Sequence, residues 1–186
     1  MTTVAGTTPY AWPWDGVVDP ARLALVVAGH DAGWSGRSDP ALAAVVADRL
    51  AALAGTLLGA GVPVLAVAHR GSAPLGDDDR VDVVRAAGID GFYGSDLDAR
   101  LRAARRDHLV VAGFGLEGPV HSTLRAANDR GYECLLLADA SAPLDPALAP
   151  AARSMVEMSG GIFGAVGATA ALLAALPPAP SPEVHP

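Results

Sequence analysis

The sequence alternates short runs that favour strands, most of them continuously apolar, with longer runs that favour helices, and this alternation constrains the fold more than any other feature. The runs that predict strands are Leu23–Ala28, Val62–Ala68, Val81–Arg85, Leu109–Ala112, Tyr132–Ala138 and Ile162–Val166. The runs that predict helices are Pro40–Leu58, Asp96–Arg106, Val120–Asn128, Pro146–Met158 and Ala168–Leu176. Strands that are apolar on both faces are typical of a parallel sheet covered by helices on both sides. The pattern therefore predicts a three-layer α/β/α sandwich around a mainly parallel, six-stranded sheet.

The chain of 186 residues is long enough for one domain with a full core and too short for two ordinary domains. We therefore predict a single domain over residues 1–176. Residues 177–186 are rich in proline and have little to bury, which predicts a mobile tail. The segment "TTPYAWPWDG" (residues 7–16) holds two of the three tryptophans and is predicted to pack onto the domain.

Composition excludes several classes of function. The net charge of −7 argues against a nucleic-acid partner, and all 13 basic residues are arginines, so no lysine is available for Schiff-base chemistry. The single cysteine, Cys134, rules out an internal disulfide, and no signal peptide is visible in the first 20 residues, which together predict a cytoplasmic protein. The longest uncharged stretch, residues 158–182, is predicted to be a strand and a helix rather than a membrane span.

Functional residues are expected beyond the carboxyl ends of the strands, where parallel α/β sheets form their crevice. The polar and aromatic side chains that those ends can deliver are His30, Asp31, Trp34, His69, Glu117 and His121. His30 and Asp31 could form an acid–base pair, but a loop histidine followed by an aspartate that caps the next turn is the favoured interpretation.

The other crevice residues also have two interpretations each. His69 could bind an anion or face solvent, Glu117 could act in catalysis or serve the positive end of the following helix, and His121 could line a pocket or cover the first helical turn. The His, Cys, Asp and Glu residues do not have the spacing of a metal site, so we expect no metal and no cofactor. Cys134 lies in the apolar run "YECLLL" and is predicted to be a buried structural residue.

Four segments resemble the isochorismatase-like cysteine hydrolases. They are "TTPYAWPWDGVVDPARLALVV", "GFYGSDLDARL", "STLRAANDRGYECLLLADA" and "MVEMSGGIFGAVGATAALLAAL", and they occur in the family's order over nearly the whole chain. The branch that they resemble most is that of the biuret and ureide amidohydrolases. The resemblance implies six strands flanked by helices, in agreement with the fold predicted above.

Enzymes of this family carry an Asp–Lys–Cys triad, and the resemblance places other residues at all three positions here. The aspartate position, in a pattern like "VIDMQ", falls on Gly29, and the lysine position, a few residues before "FY", falls on Ile89. The cysteine position, just before a pattern like "VHTT", falls on Pro119. The segment between "HRGSAP" and "GFYG" is also shorter than the one that closes over the substrate in the amidohydrolases.

Two functions fit these observations. The first is a noncatalytic homologue, either a partner subunit in a homo-oligomer or in a hetero-oligomer with an intact paralogue, or a protein that binds a small polar ligand. The alternative is a repurposed, non-thiol enzyme of small-molecule or secondary metabolism, in which His30, Asp31, Glu117 and His121 perform acid–base chemistry. Neither interpretation involves nucleic acid or a membrane.

Overall fold

The computed structural model describes Trp14, residues 18–69 and residues 78–178, and it contains one six-stranded, all-parallel sheet of order β3-β2-β1-β4-β5-β6. The strands are β1 (Leu23–Ala28), β2 (Val64–Ala68), β3 (Asp82–Arg85), β4 (His108–Phe114), β5 (Glu133–Ala142) and β6 (Ala165–Gly167). The helices are α1 (Ala32–Ser35), α2 (Pro40–Gly59), α3 (Leu97–Ala103), α4 (His121–Asn128), α5 (Ala149–Glu157) and α6 (Thr169–Ala175). The predicted α/β fold is confirmed, and the sheet is parallel throughout.

Helices cover both faces of the sheet. On one face α3, α4 and α5 bury Leu97, Leu124 and Val156 in a first apolar cluster. On the other face α2 and α6 bury Leu53 and Leu172 in a second cluster. Because both faces are covered, the central strands are apolar at almost every position, which is the pattern that identified them.

Several predicted boundaries are wrong for local reasons. β5 continues through "ASA" to Ala142 because Ser141 and Ala142 pair with the end of β4, although small residues have little strand propensity of their own. β6 begins at Ala165 and not at Ile162, because the preceding turn uses Gly164 at φ +104°, where a β-carbon would lie only 2.5 Å from the carbonyl oxygen of Cys134. The predicted helix 146–158 is a short 3-10 turn followed by α5.

The long helix α2 begins where the sequence predicts. The Asp39 carboxylate accepts a hydrogen bond from the backbone N–H of Leu42, and Pro40 occupies the first helical position. Among the described residues, α2 alone is long and apolar enough to cross a bilayer, judged by length and composition only. Its apolar side chains Leu50 and Leu57 are buried in the second cluster against the sheet, whereas Val45 is 52% exposed.

The terminal segments are described in part. Trp14 is half-buried, and its ring meets the ring of His108 edge-on at 5.5 Å, as the predicted packing of the N-terminal segment requires. The rest of that segment up to residue 17, most of the predicted tail (179–186) and residues 70–77 lie outside the described residues. The domain boundary at residue 176 stays a prediction.

Candidate functional site

A tight turn joins β4 to α4 at the centre of the sheet's carboxyl edge; we call residues 115–120 the β4–α4 turn. Gly115 opens it at φ +73°, and its N–H donates to the carbonyl oxygen of Ala142. Residues 116–120 form a wide helical turn, kinked at Gly118 (φ −112°, ψ −107°), that ends where α4 begins, and Pro119 is buried within it. Within the turn, the N–H groups of Gly118 and Val120 donate to the carbonyl oxygen of Gly115, and an apolar residue is buried near its end.

Large apolar side chains surround this turn. A β-carbon on Gly118 would lie 3.8 Å from Cζ3 of Trp34 and 3.9 Å from Cδ1 of both Ile89 and Leu144. On the other side, a β-carbon on Gly29 would lie 3.2 Å from Cβ of Pro119 and would collide with the carbonyl oxygen of Phe114. The structure thus brings Gly29 and Pro119 together and places Ile89 beside the same turn.

A cleft of about 340 Å³, which we call the Trp34 cleft, opens next to this turn. One side is formed by Trp34 and Arg37, and the other by residues 87–89. Asp31 and His69 also line it. Of the six side chains expected at the crevice, the structure therefore brings Asp31, Trp34 and His69 together in this cleft, while His30, Glu117 and His121 are not among its lining residues.

Asp31 is a buried cap. One carboxylate oxygen accepts hydrogen bonds from the backbone N–H groups of Gly33 and Trp34, and the other accepts one from the N–H of His69 at 2.8 Å. Burial by itself raises the pKa of Asp31, but these backbone hydrogen bonds, led by that from His69, outweigh it and hold the pKa below its usual value. Asp31 is therefore an ionised anchor, as the capping interpretation requires.

His69 joins the two sides of the cleft. Its Nε2 lies 3.1 Å from the carbonyl oxygen of Ile89, and because a carbonyl only accepts, this bond places a proton on Nε2. Its Nδ1 lies 3.5 Å from Oδ2 of Asp31, and its ring meets that of Trp34 edge-on at 6.0 Å. The imidazole thus links the end of β2 to the loop that carries Ile89.

His30 and Glu117 have other surroundings. The N–H of His30 donates to the carbonyl oxygen of Val67, and its buried ring stacks on Phe114 with the ring centres 5.9 Å apart. The Glu117 carboxylate accepts hydrogen bonds from the backbone N–H groups of Leu144 and Asp145 at 2.7–3.0 Å. In this position Glu117 holds the segment that places Leu144 over the β4–α4 turn.

His121 is 6% exposed and belongs to a separate contact on α4. Its Nδ1 accepts a hydrogen bond from Nε of Arg125, whose guanidinium lies 4.0 Å from the centre of the Phe163 ring. Burial, and then the nearby Arg125, lower the pKa of His121, so the ring is neutral near pH 7 with its proton on Nε2. Within the described part of the chain, no group accepts a hydrogen bond from that Nε2.

Sequence reasoning missed two residues of the site. Arg37 lies one helical turn after Trp34, but α1 has four residues and too little apolar periodicity to be recognised, so the sequence pattern indicates only a loop there. Leu144 lies against the β4–α4 turn, where Glu117 binds its backbone N–H, a contact between residues 27 positions apart. No group of three or more His, Cys, Asp or Glu residues that could hold a metal ion occurs in the ranges 18–69 and 78–178.

Comparison with known proteins identifies the family. The sequence model of the Isochorismatase domain matches residues 73–170, more than half of the chain. The chain belongs to the isochorismatase family. This membership confirms the resemblance to isochorismatase-like cysteine hydrolases that the sequence motifs indicate.

Solved structures similar to this isochorismatase-family chain share its fold over nearly their whole length. An isochorismatase family protein from Burkholderia thailandensis superimposes with a TM-score of 0.74 at 22% identity, over 86% of this chain and 97% of that one. A cysteine hydrolase from Pseudomonas syringae pv. phaseolicola 1448A gives 0.74 at 19% identity, over 91% and 99%. A nicotinamidase from Staphylococcus aureus gives 0.67 at 16% identity, over 78% and 98%. At these identities the likeness is one of fold.

Proposed function

We propose that this chain is a noncatalytic member of the isochorismatase family that retains a ligand cleft and has lost the family's hydrolytic triad. The observation that carries the proposal is the apolar surroundings of the β4–α4 turn, where Trp34, Ile89 and Leu144 all lie within 4 Å of the place that a β-carbon on Gly118 would take, next to the buried Pro119. The biuret and ureide amidohydrolases are the branch from which we infer that it diverged.

Each residue at an inherited triad position removes one part of the reaction. Pro119 offers neither a thiol for a covalent acyl intermediate nor a backbone N–H for a developing oxyanion. Gly29 supplies no carboxylate, and Ile89 supplies an apolar side chain where the family's lysine would stand. Because the chain contains no lysine, the loss of that charge does not depend on how the segments are aligned.

The remaining cysteine does not replace the missing nucleophile. Cys134 is fully buried in β5, with its sulfur 3.7 Å from the carbonyl oxygen of Tyr132. Burial raises the pKa of the Cys134 thiol far above its usual value, so the thiolate that nucleophilic attack requires does not form near neutral pH.

The role that we propose is the binding of a small polar ligand in the Trp34 cleft, or service as a noncatalytic subunit beside another copy or an intact paralogue, in the cytoplasm. The cleft has the volume of a small-molecule site, which supports the first role. The oligomeric role is tested by light scattering of the purified chain and by co-purification with a paralogue from the same cells. A monomer that captures no paralogue leaves ligand binding as the role.

A repurposed acid–base enzyme is the second candidate, and the contact between Asp31 and His69 in the cleft favours it. Against it, both oxygens of Asp31 are bound to backbone N–H groups, and Nε2 of His69 is bound to the carbonyl oxygen of Ile89. If the purified protein turns over any metabolite, this candidate predicts that His69→Gln abolishes the turnover while the melting temperature stays close to that of the wild type.

The decisive experiment measures ammonia release from biuret, ureides and nicotinamide, with the Staphylococcus aureus nicotinamidase as the positive control for nicotinamide. The purified chain should release no ammonia above the buffer blank. Turnover that follows the protein through two different chromatographic separations would overturn the proposed function.

A further inference from the structure

The Trp34 cleft presents a positive charge that no acidic residue in the described part of the chain neutralises. The guanidinium of Arg37 lies 5.0 Å from the centre of the Trp34 ring, and none of the ion pairs formed by the described residues includes it. The carboxylate that lines the same cleft belongs to Asp31, which is 3% exposed and already accepts three backbone N–H groups. Because the Asp31 carboxylate is buried and turned towards these donors, the charged group that a ligand in the cleft can contact is the guanidinium of Arg37.

The opposite side of the cleft, residues 87–89, carries no charged side chain. The backbone N–H groups of Gly88 and Ile89, two residues that line the cleft, donate to no acceptor in the described part of the chain. The Nε2 atom of His69 is not free to bind a ligand in the cleft, because it is directed to the carbonyl oxygen of Ile89. The volume of about 340 Å³ is near the lower end of the range for small-molecule sites.

We propose that the Trp34 cleft binds a small carboxylate, which pairs with Arg37 while a flat, unsaturated body lies against the Trp34 indole. This inference rests on the proposed function, in which the cleft binds a ligand without hydrolysing it. The planar guanidinium can donate two parallel hydrogen bonds to a carboxylate, and an indole offers a large rigid contact surface for a flat ligand.

Benzoate and benzamide form a matched pair of probes, because they differ in charge and hardly in shape. Isothermal titration or ligand-observed NMR should show that benzoate binds at least about tenfold more tightly than benzamide, since a charge-assisted hydrogen bond is lost with the amide. The preference should shrink as salt is added, because the cleft is open to solvent. Equal affinity for the two probes, or no benzoate binding up to about 10 mM, overturns the inference.

Three variants assign the effect to the named side chains. Arg37→Gln should remove the preference for benzoate, and Trp34→Phe should weaken both probes while the preference remains. Arg153→Gln is the control, because Arg153 pairs with Glu157 and lines a different cavity of about 300 Å³; its affinities should equal those of the wild type. A preference for benzoate that survives Arg37→Gln contradicts the assignment.

An ammonia assay on the benzamide titration samples distinguishes failure of this inference from failure of the proposed function. Ammonia released from benzamide would overturn the noncatalytic proposal, whatever the affinities. Equal binding of both probes with no ammonia would overturn the carboxylate inference alone.

Discussion

At the scale of one residue, the backbone and side chains around Gly29 leave no room for a carboxylate side chain at that position. The Gly29 backbone has φ +63°, a conformation that residues with a β-carbon adopt at a cost. A β-carbon there would collide with the carbonyl oxygen of Phe114 and press on Pro119, both of which are held in the core. Glycine is therefore the residue that fits this position, and restoring an aspartate would require the backbone to move.

Gly29→Ala should destabilise the protein, and Gly55→Ala is its matched control. Strain and overpacking together should cost at least about 2 kcal/mol at Gly29, a fall in Tm of roughly 4–8 °C for a chain of this size. Gly55 lies in α2, and apart from its chain neighbours and the nearby helix backbone no atom lies within 4 Å of the place that a β-carbon would take there, so its replacement should stabilise the helix by about 0.5–1 kcal/mol. Calorimetry of both variants checks this, and an unchanged Tm for Gly29→Ala would show that the site can accept a side chain after all.

At the scale of elements, Asp31 and Asp39 cap two helices with different surroundings. Asp39 is exposed and accepts one backbone N–H at the start of α2. Asp31 is buried, caps α1 and also accepts the N–H of His69, so it ties α1 to the end of β2. The short helix α1 has no buried residue of its own, and this cap is what positions Trp34 in the cleft.

Asp31→Ala should therefore cost more than Asp39→Ala. Loss of an exposed cap costs about 1 kcal/mol, whereas Asp31→Ala also leaves the part-buried N–H of His69 without its acceptor, for a total of about 2–4 kcal/mol. Because the folded pKa of Asp31 is lowered, its extra stabilisation is present above the unfolded pKa of about 3.9 and is lost as the pH falls through the folded value. Urea unfolding at neutral and acid pH should show the difference between wild type and Asp31→Ala shrinking in acid; a difference that grows below about pH 4 would contradict this.

The elements were predictable where one physical signal dominates. β1 and the start of α2 follow the sequence pattern because an apolar run and a cap with Pro40 determine them locally. The end of β5 and the helix α1 depend on partners distant in sequence, namely the end of β4 and the N–H of His69. Such contacts leave no periodic signal in the chain.

At the scale of the whole molecule, the topology of a parallel sheet predicts where the site lies better than it predicts which residues form it. Asp31, Trp34 and His69 meet because β1 and β2 are neighbours whose carboxyl ends lie at one edge. His121 and Glu117 start from the same edge, but they bind Arg125 and the backbone of Leu144, choices that depend on side-chain packing. The acid–base chemistry of His30, Asp31, Glu117 and His121 stays a prediction.

Cys134 reports on the opening of the whole sheet, because β5 is paired on both sides by β4 and β6 and covered on both faces. Its thiol is fully buried, and burial raises its pKa, so a thiol reagent should reach it only after unfolding. If the stability is about 5 kcal/mol or more, labelling of the native protein should be slower than that of the unfolded chain by about 10³-fold or more. The labelling rate should then depend on denaturant concentration in the same way as global unfolding does.

The control for this last prediction is a cysteine on the surface of the same fold. Ala51→Cys in a Cys134→Ala background places a thiol on the exposed side of α2, where it should react at nearly the rate of a free thiol. Because the two proteins differ in whether their single thiol is buried or exposed, the ratio of their labelling rates measures how far the fold protects Cys134. A native Cys134 that reacts as fast as Cys at position 51 would show that β5 opens locally, and it would return this thiol to consideration as a reactive group.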